Sequence, residues 1–296
     1  MQTPISQSQQ LPKKTWMSTI LSHRGVQLAI VLWILGHGLI VLLTKGVLPF
    51  DRPAFAGAPF IMQMFVPSIM LLEVFVLMGL TSMLTRKRSI PDLAARAPEH
   101  SQALPETVGL VGYAVFGQAL GWVLGPLLGF KPFSFHLAGT LVGGHSDLAV
   151  AELWSWAIYN FVVYAVGPYL WFRRRYSNVQ LNLVSSNRRN DLLVIAVIGI
   201  SEILFELTTL STSLNRLSFS QLALGLPLSF VIYGIGTVLP TMVLIYSILV
   251  PRLLKITGSA ITTVLLGGLC YAMVHMAEAW TNFSTPTNAP FQSSLC

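Results

Sequence analysis

Long apolar runs separated by short polar segments dominate the pattern along this chain. An apolar stretch of roughly 20 residues is enough to cross the hydrocarbon layer as a helix. Stretches 26–45, 60–85, 106–130, 150–171, 191–210, 222–249 and 257–280 meet that requirement. The pattern predicts an all-α fold: a polytopic membrane helix bundle of about seven transmembrane helices. Residues 1–25 read as a disordered polar tail, 26–280 as one transmembrane domain, and 281–296 as a short outer tail. No internal repeat, soluble domain or low-complexity tract interrupts this layout. The sixth stretch carries Pro227, Gly234, Gly236 and Pro240, and a proline inside a helix removes a backbone donor and bends the rod, so a kink is expected there.

Composition strengthens the membrane reading. The 296 residues are 53% hydrophobic and 10% charged, far from the quarter-charged makeup of soluble domains. The net charge of +7 does not signal a nucleic-acid face, because the basic residues are sorted by loop. With the N-terminus in the cytoplasm, Lys13, Lys14, Arg24, Arg86, Lys87, Arg88, Arg96, Arg173, Arg174, Arg175, Arg188, Arg189, Arg252 and Lys255 fall inside, and Lys45, Arg52, Lys131 and Arg216 outside. That asymmetry predicts a multi-pass protein of the plasma (inner) membrane with a cytoplasmic N-terminus. The first twenty-odd residues are too polar for a cleavable signal peptide. Cys270 and Cys296 form neither a disulfide framework nor a paired metal motif.

Against this background, carboxylates inside apolar runs stand out. A charge at the bilayer centre costs about 2.5 kcal/mol or more on insertion scales, so such residues face protein or water and are candidate site residues. Glu202 and Glu206 are one helical turn apart on one face, and His37 and Glu73 lie at a depth similar to that of Glu202. Tyr271, His275 and Glu278 share a face of the last stretch. A buried carboxylate facing a histidine can polarise a water for attack on a carbonyl. Glu202, Glu206 and His275 are therefore candidate catalytic residues. Glu206, His275 and Glu278 could also bind a divalent metal, since imidazole and carboxylate suit zinc or iron. The same residues could instead tie helices together by hydrogen bonds. His136, His145 and Asp147 read as loop residues, the Phe130–Asp147 stretch as re-entrant or interfacial, and Trp154, Trp156 and Trp280 as interfacial anchors.

The acidic helix, preceded by a basic loop and followed by Tyr271-Ala-Met-Val-His275, resembles the CPBP membrane proteins, the CAAX-processing and bacteriocin-processing intramembrane endopeptidases. Ser201 to Glu206 overlays that family's Glu-Glu-x-x-x-Arg motif with Ser for the first Glu and Glu for the Arg. Tyr271 to His275 overlays Phe-x-x-x-His with Tyr for Phe, and a third motif would fall beyond Cys296. The resemblance covers the last third of the chain and implies a divergent, degenerate intramembrane peptidase with weak or lost activity and no cofactor. Its partners would be membrane lipids, a membrane-embedded peptide or other membrane subunits, with no nucleic acid. A proton-coupled or small-solute transporter and a non-catalytic subunit of a membrane complex are the alternatives from other classes. The peptidase-like reading requires the Glu202 helix to pack on the His275 helix, enclosing a polar chamber that opens toward the outer half.

Overall fold

The computed structural model describes residues 20–44, 59–88, 92–135, 149–185, 187–209, 218–275, 281–282 and 292–293. They form α1 (Arg24–Thr44), α2 (Phe60–Thr85), the short α3 (Leu93–Arg96), α4 (His100–Leu127), α5 (Val150–Asn160), α6 (Gly167–Arg173) and α7 (Arg188–Thr209). A rod then runs continuously from Leu222 to Thr257, with α-helical parts α8 (Leu226–Tyr233), α9 (Leu239–Thr241) and α10 (Val250–Thr257), and α11 (Ala260–His275) follows. Outside the helices, Thr281–Asn282 pairs antiparallel with Gln292–Ser293. Each of the seven apolar stretches thus contains a helix. Among the described residues three helices are long and apolar enough to cross a membrane, namely Arg24–Leu43, His100–Leu127 and Leu222–Thr257, while Leu72–Thr85 and Ala260–Tyr271 are apolar but shorter.

The centre consists of α4, α5, α6, the rod and α11. α10 packs on α4, α11 and α3, α5 packs on the Gly234–Val238 part of the rod, and α1 lies on α11. α2 and α7 pair with each other at the periphery, joined at one end by the Arg88–Asp191 ion pair and by Asn190 donating to the Leu84 carbonyl.

Prolines shape the core helices without breaking them. Among the described residues four π-helical segments are wound wider than an α-helix: Phe161–Val166, Gln221–Gly225, Gly234–Val238 and Met242–Leu249. Each ends two residues before a proline, respectively Pro168, Pro227, Pro240 and Pro251. A proline ring presses on the carbonyl four residues back and donates no hydrogen bond; widening the preceding turn relieves both problems. Gly167 accordingly donates to the Val162 carbonyl, Leu239 to Gly234 and Val250 to Ile245, each five residues back instead of four. The bend expected at Pro227 and Pro240 is met by a change of winding within one rod. At its end, Gly258 adopts φ 62° and returns its N–H to the Leu254 carbonyl, the left-handed cap that glycine supplies at least strain. Ser259 Oγ then accepts from Thr262 N at 3.3 Å to start α11.

Within lipid, close contact between backbones replaces the hydrophobic effect as the force between helices, so small residues collect at interfaces. Gly117, Gly121 and Gly125 on α4 form such a stripe. A Cβ on Gly121 would lie 1.9 Å from the Phe133 carbonyl oxygen, and one on Gly125 2.3 Å from that of Lys131. The segment after α4 therefore folds back onto its own helix, with Phe133 N donating to Gly121 O at 3.0 Å. Gly121→Ala is expected to cost about 1–3 kcal/mol, since the backbone itself would have to move. Gly112→Ala, where a Cβ meets nothing within 4 Å, should leave melting in detergent unchanged or slightly raised. Equal melting temperatures for the two variants would contradict this packing.

Candidate functional site

Two clusters of buried polar groups stand out among the described residues. The first is one face of α5, where Glu152, Trp156 and Asn160 recur every four residues and are all buried. Glu152 Oε1 accepts from Lys131 N at 2.7 Å, and Trp156 Nε1 donates to the Ser134 carbonyl at 2.8 Å. Asn160 Nδ2 donates to the carbonyls of Ser134 (3.2 Å), Phe135 (2.9 Å) and, from the rod, Gly236 (2.9 Å). Gly236 is required there, because a Cβ would come within 2.5 Å of the Trp156 ring. These groups supply the hydrogen bonds that a loop and a widened helix turn would otherwise lack in an apolar surround.

The second place is the Arg252–Glu106 pair. Arg252, 1% exposed, donates from Nε to Glu106 Oε2 at 2.8 Å and from Nη1 to the Ile248 carbonyl at 2.9 Å. Its guanidinium lies over the rings of Phe172 (4.4 Å) and Tyr176 (4.9 Å), a geometry in which the ring faces attract the cation. Tyr176 donates its hydroxyl to the other oxygen, Glu106 Oε1, at 2.7 Å. Burial, then the Glu106 carboxylate it bonds, push the Tyr176 phenol above its ordinary value. One carboxylate on α4 thus holds the α10 arginine and the tyrosine just after α6, and locks three elements together.

Beside this pair a groove of about 740 Å³ opens between α4 and α6. Its α4 wall runs from Ser101 to Tyr113 and its α6 wall from Gly167 to Arg175. Tyr113 closes one end by donating its hydroxyl to the Val163 carbonyl at 2.6 Å. That carbonyl needs an outside donor for a reason already given: Gly167 bonds to Val162 instead, and the next residue is Pro168. The other end carries Ser101, Gln102, Glu106 and Arg175.

The sequence-derived candidates are distributed differently. Glu202 sits half-buried on α7, and Ser201 beside it turns its hydroxyl to its own helix, bonding the Val197 carbonyl at 2.9 Å. Glu206 is on the same helix and His275 ends α11, but their side chains lie outside the described residues, as do Glu278, His136, His145, Asp147 and Trp280. Among the described residues the principal packing partners of the two helices are other elements. α7 packs on α2, whereas α11 packs on α10, α1 and α4. Among the described residues no three His, Cys, Asp or Glu side chains gather at metal-binding distance. His37 Nδ1 contacts the Trp33 carbonyl at 2.8 Å on α1, and Glu73 is half-buried on α2.

Two readings from the sequence are corrected. Trp156 is an interior residue at 0% exposure and not an interfacial anchor; its ring fills the gap that Gly236 leaves. Arg252, counted among the inside loop charges, is buried against Glu106. Glu106, Glu152 and Arg252 escaped notice because they sit near predicted span ends, where charge is ordinary, and Asn160, in the middle of its stretch, because it carries no charge. The four-residue spacing of Glu152, Trp156 and Asn160 is the signal that could have revealed the first cluster. Compared with known proteins, the chain matches no protein-family model, no curated protein and no solved structure.

Removing Arg252 strands a buried carboxylate, so Arg252→Met is expected to cost about 3 kcal/mol or more. Adding Glu106→Leu should recover a substantial part of that loss, giving a strong coupling in a double-mutant cycle of detergent melting. Strictly additive effects would contradict the pair.

Proposed function

We propose that this chain is a seven-span plasma-membrane protein with a cytoplasmic N-terminus, CPBP-like in descent, that binds a membrane ligand and no longer cleaves peptides. The helices found in all seven apolar stretches, together with the loop charge asymmetry, support the topology. One observation carries the functional part. Hydrolysis of the kind the resemblance implies needs a carboxylate that activates water beside the histidine-bearing helix. The rod segment packed against α11, within Leu222–Thr257, contains no Asp or Glu. Glu202 and Glu206 are on α7, which has α2 as its packing neighbour, and the position overlaying the family's first Glu is Ser201. A general acid or base must reach its proton within hydrogen-bond distance or through one water. α4 does carry a carboxylate against the rod, but both oxygens of Glu106 are committed to Arg252 and Tyr176.

The binding part follows from the groove between α4 and α6, which is lined mainly by apolar side chains with a few polar groups at one end, as ligand sites commonly are. In liposomes carrying a quenched fluorescent peptide embedded in the bilayer, the purified protein should give no hydrolysis above protein-free vesicles. Glu202→Gln, Glu206→Gln and His275→Ala should each shift melting by a few degrees at most, since interhelical hydrogen bonds in membranes average about 0.6 kcal/mol. Cleavage by the parent protein that His275→Ala abolishes would overturn the reading.

A further inference from the structure

We infer that the α4–α6 groove holds one acyl chain of an anionic phospholipid, with the lipid phosphate on Arg175. This deepens the binding role proposed above and rests on it. Length is the first argument. From Ser101 to Tyr113 the α4 wall extends about 18 Å at roughly 1.5 Å per residue, close to half of the roughly 30 Å hydrocarbon thickness. The groove therefore matches a chain in a single leaflet and stops where Tyr113 bonds Val163.

Polarity is the second argument. The stretch towards Tyr113 is walled by Gly109, Leu110, Gly167, Pro168 and Trp171, with polar residues gathered at the opposite end. A lipid has the same division, and so the groove fits it along its whole length.

Charge is the third. Arg173, Arg174 and Arg175 follow one another and are all exposed at that polar end. Arg175 lines the groove with its side chain 68% exposed, and Glu106 lies 3.9 Å away. Glu106 is shared between Arg175 and the buried Arg252, so two guanidiniums meet one carboxylate and the mouth keeps a net positive charge. Arg174 lies over the Trp171 ring at 5.9 Å, which holds a second guanidinium beside the mouth. Guanidinium groups bind phosphate through paired, charge-assisted hydrogen bonds, and basic residues at the cytoplasmic surface attract anionic lipid. Under the loop-charge orientation this end faces the cytoplasmic leaflet.

Gly109 provides a direct test, since it lines the groove and a Cβ built there meets nothing within 4 Å, so a larger side chain is expected to occupy the groove. Full-length protein would be placed in phosphatidylcholine nanodiscs containing a minor fraction of phosphatidylglycerol with a photoreactive acyl chain. After illumination, labelled peptides are mapped by mass spectrometry. Labelling is expected within 101–113 and 167–175, to compete away with unlabelled phosphatidylglycerol, and to exceed labelling by photoreactive phosphatidylcholine. Gly109→Leu should abolish it, and Arg175→Gln should lower it by about tenfold, the effect of one lost charge-assisted hydrogen bond. Should Gly109→Leu not fold, Arg175→Gln decides. Equal labelling by the two lipids, labelling that Arg175→Gln leaves unchanged, or displacement by an apolar peptide but not by phosphatidylglycerol would overturn the assignment. Peptide cleavage in the same nanodiscs would overturn the non-catalytic reading without touching this one.

Discussion

The amide nitrogen of Asn160 donates at once to a loop and to the rod, through the carbonyls of Ser134, Phe135 and Gly236, and the rest of the core is arranged around that junction. An apolar surround supplies no water to a carbonyl released from a helix, and each such group left unpaired costs several kcal/mol. The rod contains several because its prolines force it to wind wide. The segment after α4 contains more because it is not helical. Asn160, Trp156 and Glu152 meet these demands from one face of α5, and the glycines opposite them let the backbones come close enough for the bonds to form.

The Glu106–Arg252 pair answers the same constraint for charge. An ion pair in the interior is weak support for stability unless its remaining hydrogen-bonding capacity is met. Here Tyr176, the Ile248 carbonyl and two ring faces meet much of it. Because Glu106 is shared between the buried Arg252 and the exposed Arg175, the groove it lines keeps a net basic mouth. The structural lock and the proposed lipid site are thus two consequences of one carboxylate.

Much of the fold was legible in the sequence, because a run of some twenty apolar residues in a chain this poor in charge has few alternatives to a helix. What each helix packs against was not. In a membrane protein the faces turned to lipid and to neighbouring helices are both apolar, so periodicity does not distinguish them. Depth within an apolar run singles out Glu202 and Glu206 and passes over Glu106 and Arg252, an ion pair separated by 146 positions, with each partner near the end of a stretch. Counting Arg252 as a loop charge hid its role. Trp156 was misplaced for a similar reason: tryptophan near a span end usually marks the interface, and nothing local to it announces the glycine 80 positions on whose missing side chain makes room for its ring.

The central claim is that buried polar side chains serve here as ties between segments, and amide hydrogen exchange in nanodiscs tests it most directly. The account predicts that the amides of Lys131, Phe133 and Phe135, though outside any helix, exchange slowly, because they donate to Glu152, Gly121 and Gln118. It predicts also that Asn160→Leu speeds exchange there and around Gly236 together, by about tenfold or more for carbonyls losing a bond worth about 1–3 kcal/mol. Exchange at unprotected rates in the parent protein, or no coupled change at the two sites in the variant, would contradict it.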